Sequence, residues 1–455
     1  MEKNKKGVRN LELVIRAFAL LLPVIFSSCS ISKQISKQAN TILLKDTAIS
    51  SGHIGISIYE PATNKYWYNY NATKYFIPAS NTKLFTLYAG MKYLGDSLVG
   101  IYFNETLDEI KIIGNGDPTF LYPDYKTQPV FDFLRKKINK KISLFAIEPP
   151  FYYHKNFLPL GKGWSWDDYN SSYMAERSFF PLYGNVVKFI LKDNKISISP
   201  PFFYSKTFQE DSTLNSFYVD RMKGSNAFFI YGDSNKNTNA EIPFKIGLDN
   251  ADHSIEAGLL SDTLHQNIIF GKLFLSSLKD FQKVHSQPTD SLFKPMMHRS
   301  DNFFAEQTLL MASNEHLGFM NDEKIIDTIL KLDLKDISQR PKWVDGSGLS
   351  RYNLFTPKSF VYILNKMKNE FGLERMKNIL PTGCEGTLSS YYKKDAGFIY
   401  AKTGTLSNNC ALSGYLITHK GKLLIFSVLS NNYITGATPV RKAVEQFLLQ
   451  LREKY

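Results

Sequence analysis

The sequence predicts an α+β protein: an antiparallel sheet flanked by helices, interrupted by a long and mainly β region. Three observations carry this. Near the C-terminus, 409–417 and 422–429 are apolar runs on either side of His419-Lys420-Gly421, which reads as a hairpin. The segment after it sets Val440, Ala443, Val444, Phe447, Leu448 and Leu451 on one face, a helix ready to pack on that sheet. Between about 120 and 250, short runs such as Phe179-Phe180 and Phe228-Phe229-Ile230-Tyr231 are separated by Pro, Asn, Ser and Gly, the pattern of small β modules.

Taken in order, the chain opens with Lys3, Lys5, Lys6, Arg9 and Arg16 ahead of the apolar run 17–26. That run is too short to span a bilayer and predicts a signal peptide over 1–28. Phe26-Ser27-Ser28-Cys29 resembles a bacterial lipobox with Phe26 in place of the usual Leu, so Cys29 is the expected lipid-anchored first residue. Residues 33–48 are expected to form a first helix. His53–Tyr59 and Tyr66–Tyr70, joined by Pro61-Ala62-Thr63-Asn64, read as two strands opening the sheet. Gly114-Asn115-Gly116-Asp117-Pro118 is turn-rich but lacks the Lys-Ser/Thr ending of a phosphate cradle. In the terminal helix, Thr438 is the expected cap and Pro439 lies in the first turn.

Composition narrows the function classes. Loss of residues 1–28 removes five basic and two acidic side chains, so the net charge falls from +13 to +10. No basic run of five or more appears, so the charge reads as nonspecific attraction to anionic envelope polymers and not as nucleic-acid binding. Cys384 and Cys410 remain in the mature chain, either paired or buried as thiols. No metal-ligand spacing is present. At 455 residues the chain exceeds one ordinary core.

The chemistry centres on Ser80-Asn81-Thr82-Lys83. Apolar residues at 84, 87, 88, 91 and 94 follow the spacing of a buried helical stripe, which sets Ser80 at the helix start. Lys83 is about one turn on, so its amine can reach the Ser80 hydroxyl, and a serine needs such a base to attack a carbonyl. The helix N-terminus favours negative charge developing there. A capping serine followed by a surface lysine has the same spacing, so the pair gains its meaning from two later stretches. His298–Glu306 contains Ser300-Asp301-Asn302, and Tyr400–Leu406 contains Lys402-Thr403-Gly404-Thr405 on a strand-like run.

Ser-x-x-Lys, Ser-Asp-Asn and Lys-Thr-Gly in that order are the signature of penicillin-binding proteins and class A β-lactamases. The chain resembles the serine D-alanyl-D-alanine carboxypeptidase/endopeptidase family, low-molecular-mass penicillin-binding proteins with a large insertion between the first two motifs. Gly114–Thr119, Gly163–Asp168, Asp345–Asn353 and Glu385–Leu388 agree with it, and the likeness covers essentially the whole mature chain. Cys384-Glu385 departs from the residues usual before Gly-Thr-Leu, and the insertion is compact.

The resemblance implies a β-lactamase/transpeptidase-like catalytic domain in two parts, 29–102 and 251–455, around an insertion at 103–250. It implies that Ser80 attacks the penultimate D-alanine carbonyl of peptidoglycan stem peptides ending in D-Ala-D-Ala, with Lys83 as base. Ser300 relays a proton to the leaving amine, Asn302 holds Lys83 and the peptide, and Lys402 supplies positive potential. Thr403, Gly404 and Thr405 hold the substrate and its carboxylate. The backbone N–H groups of Ser80 and Thr405 form the oxyanion hole, and β-lactams are covalent inhibitors. No cofactor and no metal are implied, and contact with the membrane is by the lipid anchor only. Two alternatives are a β-lactamase-like hydrolase and a catalytically silent envelope-binding protein. The stretch after Asn302 lacks the Glu-x-x-x-Asn of the former, and none of Ser80, Lys83 or Lys402 is substituted, as the latter would require.

Overall fold

The structure is a computed structural model that describes residues 31–148, 157–193, 195–210, 216–232, 238–250, 253–274 and 278–455. The predicted signal peptide and Cys29 lie outside the described residues. Residues 31–44 are helical, ending in a π-helical turn at Asn40–Leu44, four residues short of the expected 48.

Two five-stranded sheets organise the chain. The first strands in sequence are β1 (His53–Glu60) and β2 (Lys65–Tyr70), then β3 (Ser97–Glu105), β4 (Glu109–Gly114) and β5 (Lys141–Glu148). After a long excursion come β6 (Ile268–Phe274), β7 (Gln282–Pro288), β8 (Ile399–Leu406), β9 (Asn409–Ile417) and β10 (Leu423–Asn431). One sheet runs β8-β9-β10-β1-β2 and is antiparallel throughout, as the two hairpins predict. The other runs β6-β5-β4-β3-β7 and is mixed, with β6 and β4 parallel to β5. Among the described residues, three smaller sheets have strands from 186–254, in the aromatic region. The second sheet therefore reaches beyond the 103–250 stretch at both ends. Its edge strand β7 pairs with β3 in the register Val284↔Ile101, a long-range contact that local pattern does not show.

The antiparallel sheet buries both faces, because successive side chains on a strand alternate. Ala411 and Tyr415 of β9 face a helical layer made of α1 (Lys83–Tyr93), α2 (Thr289–His298), α3 (Asn302–Leu317), α4 (Asp322–Lys331) and α5 (Pro357–Phe371). Cys410, Leu412 and Leu416 face the terminal helix α6 (Ala437–Lys454) and the N-terminal helical segment. All six residues of the predicted α6 stripe are buried there. Thr438 is not its cap: the helix begins at Ala437 and Gly436 holds the cap position without a side-chain bond. A separate core of Ile101, Ile112, Leu144, Phe189, Phe228 and Phe244 lies between the second sheet and the smaller ones.

Helix α1 is buried from Lys83 to Met91, not along one stripe, because α2, α3 and α5 enclose it. The Gly114–Thr119 loop is structural. Asp117 accepts from the Thr119 N–H (2.9 Å) and hydroxyl (2.8 Å), while Gln307 and Asn314 of α3 bind Gly116 O (2.7 Å) and Asn115 Oδ1 (2.6 Å). Cys384 is exposed, Cys410 is buried, and both are free thiols.

Candidate active site

Ser80 lies in a 3-10 turn, Ala79–Thr82, that runs directly into α1. The turn is pinned from two sides by glycines. A Cβ on Gly404 of β8 would lie 2.6 Å from Pro78 O and 3.1 Å from Ser80 N, and one on Gly348 would lie 2.0 Å from Ala79 O. Only glycine allows backbone to approach backbone so closely. Ala79 and Ser300 hold left-handed backbone (φ 48° and 62°), conformations that cost energy for non-glycine residues and recur at functional sites.

Lys83 is completely buried, and its Nζ donates to Asn302 Oδ1 (2.6 Å), Ser347 O (2.7 Å) and Ser80 Oγ (3.1 Å). Burial lowers its pKa from 10.5 to about 8, against the carboxylates of Asp345, Glu306 and Asp301, which pull it up. Asn302 opens α3, and its neighbour Asp301 caps the helix by accepting the Phe304 N–H (3.0 Å).

Lys402 is also fully buried, and its Nζ donates to Ser300 Oγ (2.8 Å) and Thr403 O (2.7 Å). Burial first, then the Lys83 and Arg441 charges, holds its ammonium well below the usual lysine range. The expected standing positive charge of Lys402 is therefore opposed by its own surroundings.

Strand alternation divides the Lys-Thr-Gly-Thr run. Gly404 faces the Ser80 turn and Lys402 reaches Ser300, whereas Thr403 and Thr405 lie on the α6 side of the edge strand β8. The Thr403 hydroxyl donates to Thr387 Oγ1 (2.8 Å), and Thr405 accepts from Arg441. Pairing with 381–382 covers the start of the β8 edge, through Ala401 N–H to Pro381 O (3.1 Å) and the Thr382↔Tyr400 bridge.

The structure thus brings Ser80, Lys83, Ser300, Asn302 and Lys402 into one cluster, with Thr403, Gly404 and Thr405 along its margin. Sequence reading missed Asn81, whose side chain lies 2.7 Å from both Lys402 O and Ser413 Oγ and satisfies both when its Nδ2 faces the carbonyl. It also missed the Ser347 carbonyl. Glu306 of α3 accepts the Ser347 N–H (2.7 Å). No cluster of metal-ligating side chains occurs among the described residues.

An antiparallel sheet flanked by helices, carrying these three motifs in this order, defines the class of penicillin-binding serine hydrolases. The sequence matches the D-Ala-D-Ala carboxypeptidase 3 (S13) family over residues 35–454, and the chain belongs to that family. It is a serine-type D-Ala-D-Ala carboxypeptidase. Penicillin-sensitive carboxypeptidase A of Dictyostelium discoideum is 24% identical over 455 residues, 87% of this chain and 85% of that protein. D-alanyl-D-alanine carboxypeptidase of Actinomadura sp. is 24% identical over 451 residues, 88% of this chain and 81% of that protein. Penicillin binding protein 4 from Haemophilus influenzae shares the fold, with a TM-score of 0.68 at 22% identity over 92% of this chain and 99% of that one.

Proposed function

We propose that Ser80 is the nucleophile that forms the acyl-enzyme and Lys83 the base that activates it. The observation that carries this is the Lys83 hydrogen-bond set. Its two shorter bonds go to oxygens that only accept, and its longest goes to Ser80, the one partner with a proton to give. Ser80 Oγ bonds to the carbonyl carbon of the penultimate D-alanine, and its proton passes to Lys83. Collapse breaks the peptide bond, Ser300 relays the proton taken up by Lys83 to the departing amine of the terminal D-alanine, and water later hydrolyses the acyl-serine to free Ser80 and the shortened peptide. A β-lactam is attacked in the same way, but its leaving amine stays tethered.

The remaining roles follow from position. The stem peptide lies along β8 beyond the covered 381–382 stretch, adding as a strand to the edge. Thr403 and Thr405, with Arg441 beside them, meet the terminal carboxylate at that edge. An arriving carboxylate also favours the charged form of Lys402, so positive potential appears with the substrate. The N–H groups of Ser80 and Thr405 stabilise the oxyanion. The protein acts in the cell envelope on peptidoglycan, anchored through lipidated Cys29 after removal of residues 1–28.

Peptide mapping after incubation with a penicillin is expected to place the adduct on Ser80, and defined muropeptides to lose one D-alanine by mass. An adduct elsewhere on folded protein overturns the mechanism. Cys29→Ser is expected to release the protein from membranes; a wild type already soluble overturns the anchor.

A further inference from the structure

Of the groups that hold Lys83, Asn302 is held directly, and Ser347 through Glu306 of α3, by residues outside the antiparallel sheet and its helical layer. A neutral amine has two hydrogens and one lone pair. With the hydrogens on Asn302 Oδ1 and Ser347 O, the lone pair is left for the Ser80 proton. The Asn302 amide is oriented by donation from its Nδ2 to Tyr173 O (3.1 Å). Ser347 is fixed by its N–H bond to Glu306 Oε1 (2.7 Å). Glu306 Oε2 in turn accepts from Arg177 Nη1 (3.2 Å), which also meets Asp322 Oδ2 (2.6 Å), and Arg177 Nε donates to Leu158 O (2.9 Å). Arg177 and Glu306 are 2% and 1% exposed, so this is an interior link and not a surface pair. Trp164 of the same inserted stretch donates to Asp345 Oδ2 (2.9 Å), the carboxylate that organises the Ser347 loop by accepting from Gly348 and Ser350 N–H groups (2.9 and 2.7 Å).

We propose that Arg177 and Glu306 are positioning residues for the general base: acting through the backbone of Ser347, they fix the Lys83 amine so that its lone pair faces Ser80, and the inserted segment 164–177 thereby completes the catalytic centre. A buried charged pair that served stability alone would be an expensive choice, since a matched apolar pair is often as good. This inference rests on Lys83 being the base of the proposed reaction.

The test is the second-order rate of acylation by one penicillin, measured against pH for folded wild type, Glu306→Gln, Glu306→Ala, Arg177→Lys and Arg177→Met. The charged groups facing Lys83 are Asp301 and Glu306 from α3 and its cap, Asp345 from the Ser347 loop and Lys402 from β8. Glu306→Gln keeps an oxygen for the Ser347 N–H but removes a carboxylate that raises the Lys83 pKa. Its rate at high pH is expected to stay near wild type while the acid limb of the profile moves to lower pH. Burial raises the Glu306 pKa to about 7, so at the limb near 8 the carboxylate being removed is mostly ionised. Glu306→Ala loses the acceptor too and is expected to fall about a hundredfold at every pH, the cost of a small misplacement of a catalytic group. Arg177→Lys is expected to retain more rate than Arg177→Met. Where the alanine variant does not fold, the glutamine profile decides. An acid limb unshifted in Glu306→Gln, or wild-type rates in folded Glu306→Ala or Arg177→Met, overturns the positioning role. Absence of a Ser80 adduct in wild type overturns the underlying mechanism instead.

Discussion

Lys83 and Lys402 are equally buried, and each donates to a serine hydroxyl, yet their neighbours differ in sign. Three carboxylates face Lys83, whereas Lys402 faces Lys83 and Arg441. Burial depresses both amines, but the carboxylates stop Lys83 at about 8 while Lys402 falls well below its usual range. The difference teaches that burial alone does not make a base. Counter-charge decides which buried amine is held near 8 and which is left well below the usual lysine range.

The largest expected effect separates the two residues directly. Arginine keeps the charge but cannot give up its proton. Lys83→Arg is expected to lower the acylation rate on the order of a thousandfold or more, close to Ser80→Ala, since a positioned base contributes about 10²–10⁴-fold. Lys402→Arg is expected to keep measurable acylation, reduced about tenfold to a hundredfold, as for a displaced supporting group. Equal losses in the two folded variants would erase the comparison.

The next effect is a pH profile. Lys83 accepts a proton only when neutral, so the acylation rate is expected to climb through about pH 8 and level off above it. A flat profile across that range would mean that another group is the base.

The smallest effect concerns stability. A lysine whose folded pKa is depressed penalises folding while the unfolded chain binds the extra proton, and stability rises with pH from about 8 towards 10.5 for Lys83. Replacing such an amine with an apolar chain of similar length relieves the penalty. Lys402→Met is expected to stabilise the fold by about 1 kcal/mol in thermal unfolding, since no carboxylate is left behind. Lys83→Met is expected to gain less or to lose stability, because Asp301, Glu306 and Asp345 then lose a nearby positive charge. The reverse ranking would contradict the charge assignment made here.

Much of the site is legible in the sequence, for unequal reasons. Ser80 and Lys83 are joined by one helical turn, so their contact follows from local geometry. Ser300, Asn302 and Lys402 were legible through their motifs, although the contacts they make span 102 and 219 residues. The side of β8 on which Thr403 and Thr405 lie depends on the sheet register, and the boundary of the insertion depends on β7 pairing with β3. Neither leaves a local trace.

By itself the sequence determined the antiparallel hairpins, the buried stripe of the terminal helix and the three motifs whose polar residues the fold gathers into one cluster. Periodicity, turn chemistry and motif order are properties of neighbouring residues or of a recognised pattern. Only the tertiary structure decided what holds Lys83. Its partner at Ser347 is a backbone carbonyl, which every residue possesses and no motif marks. The Arg177–Glu306 link closes across 129 residues, and only packing brings the two charges together out of water.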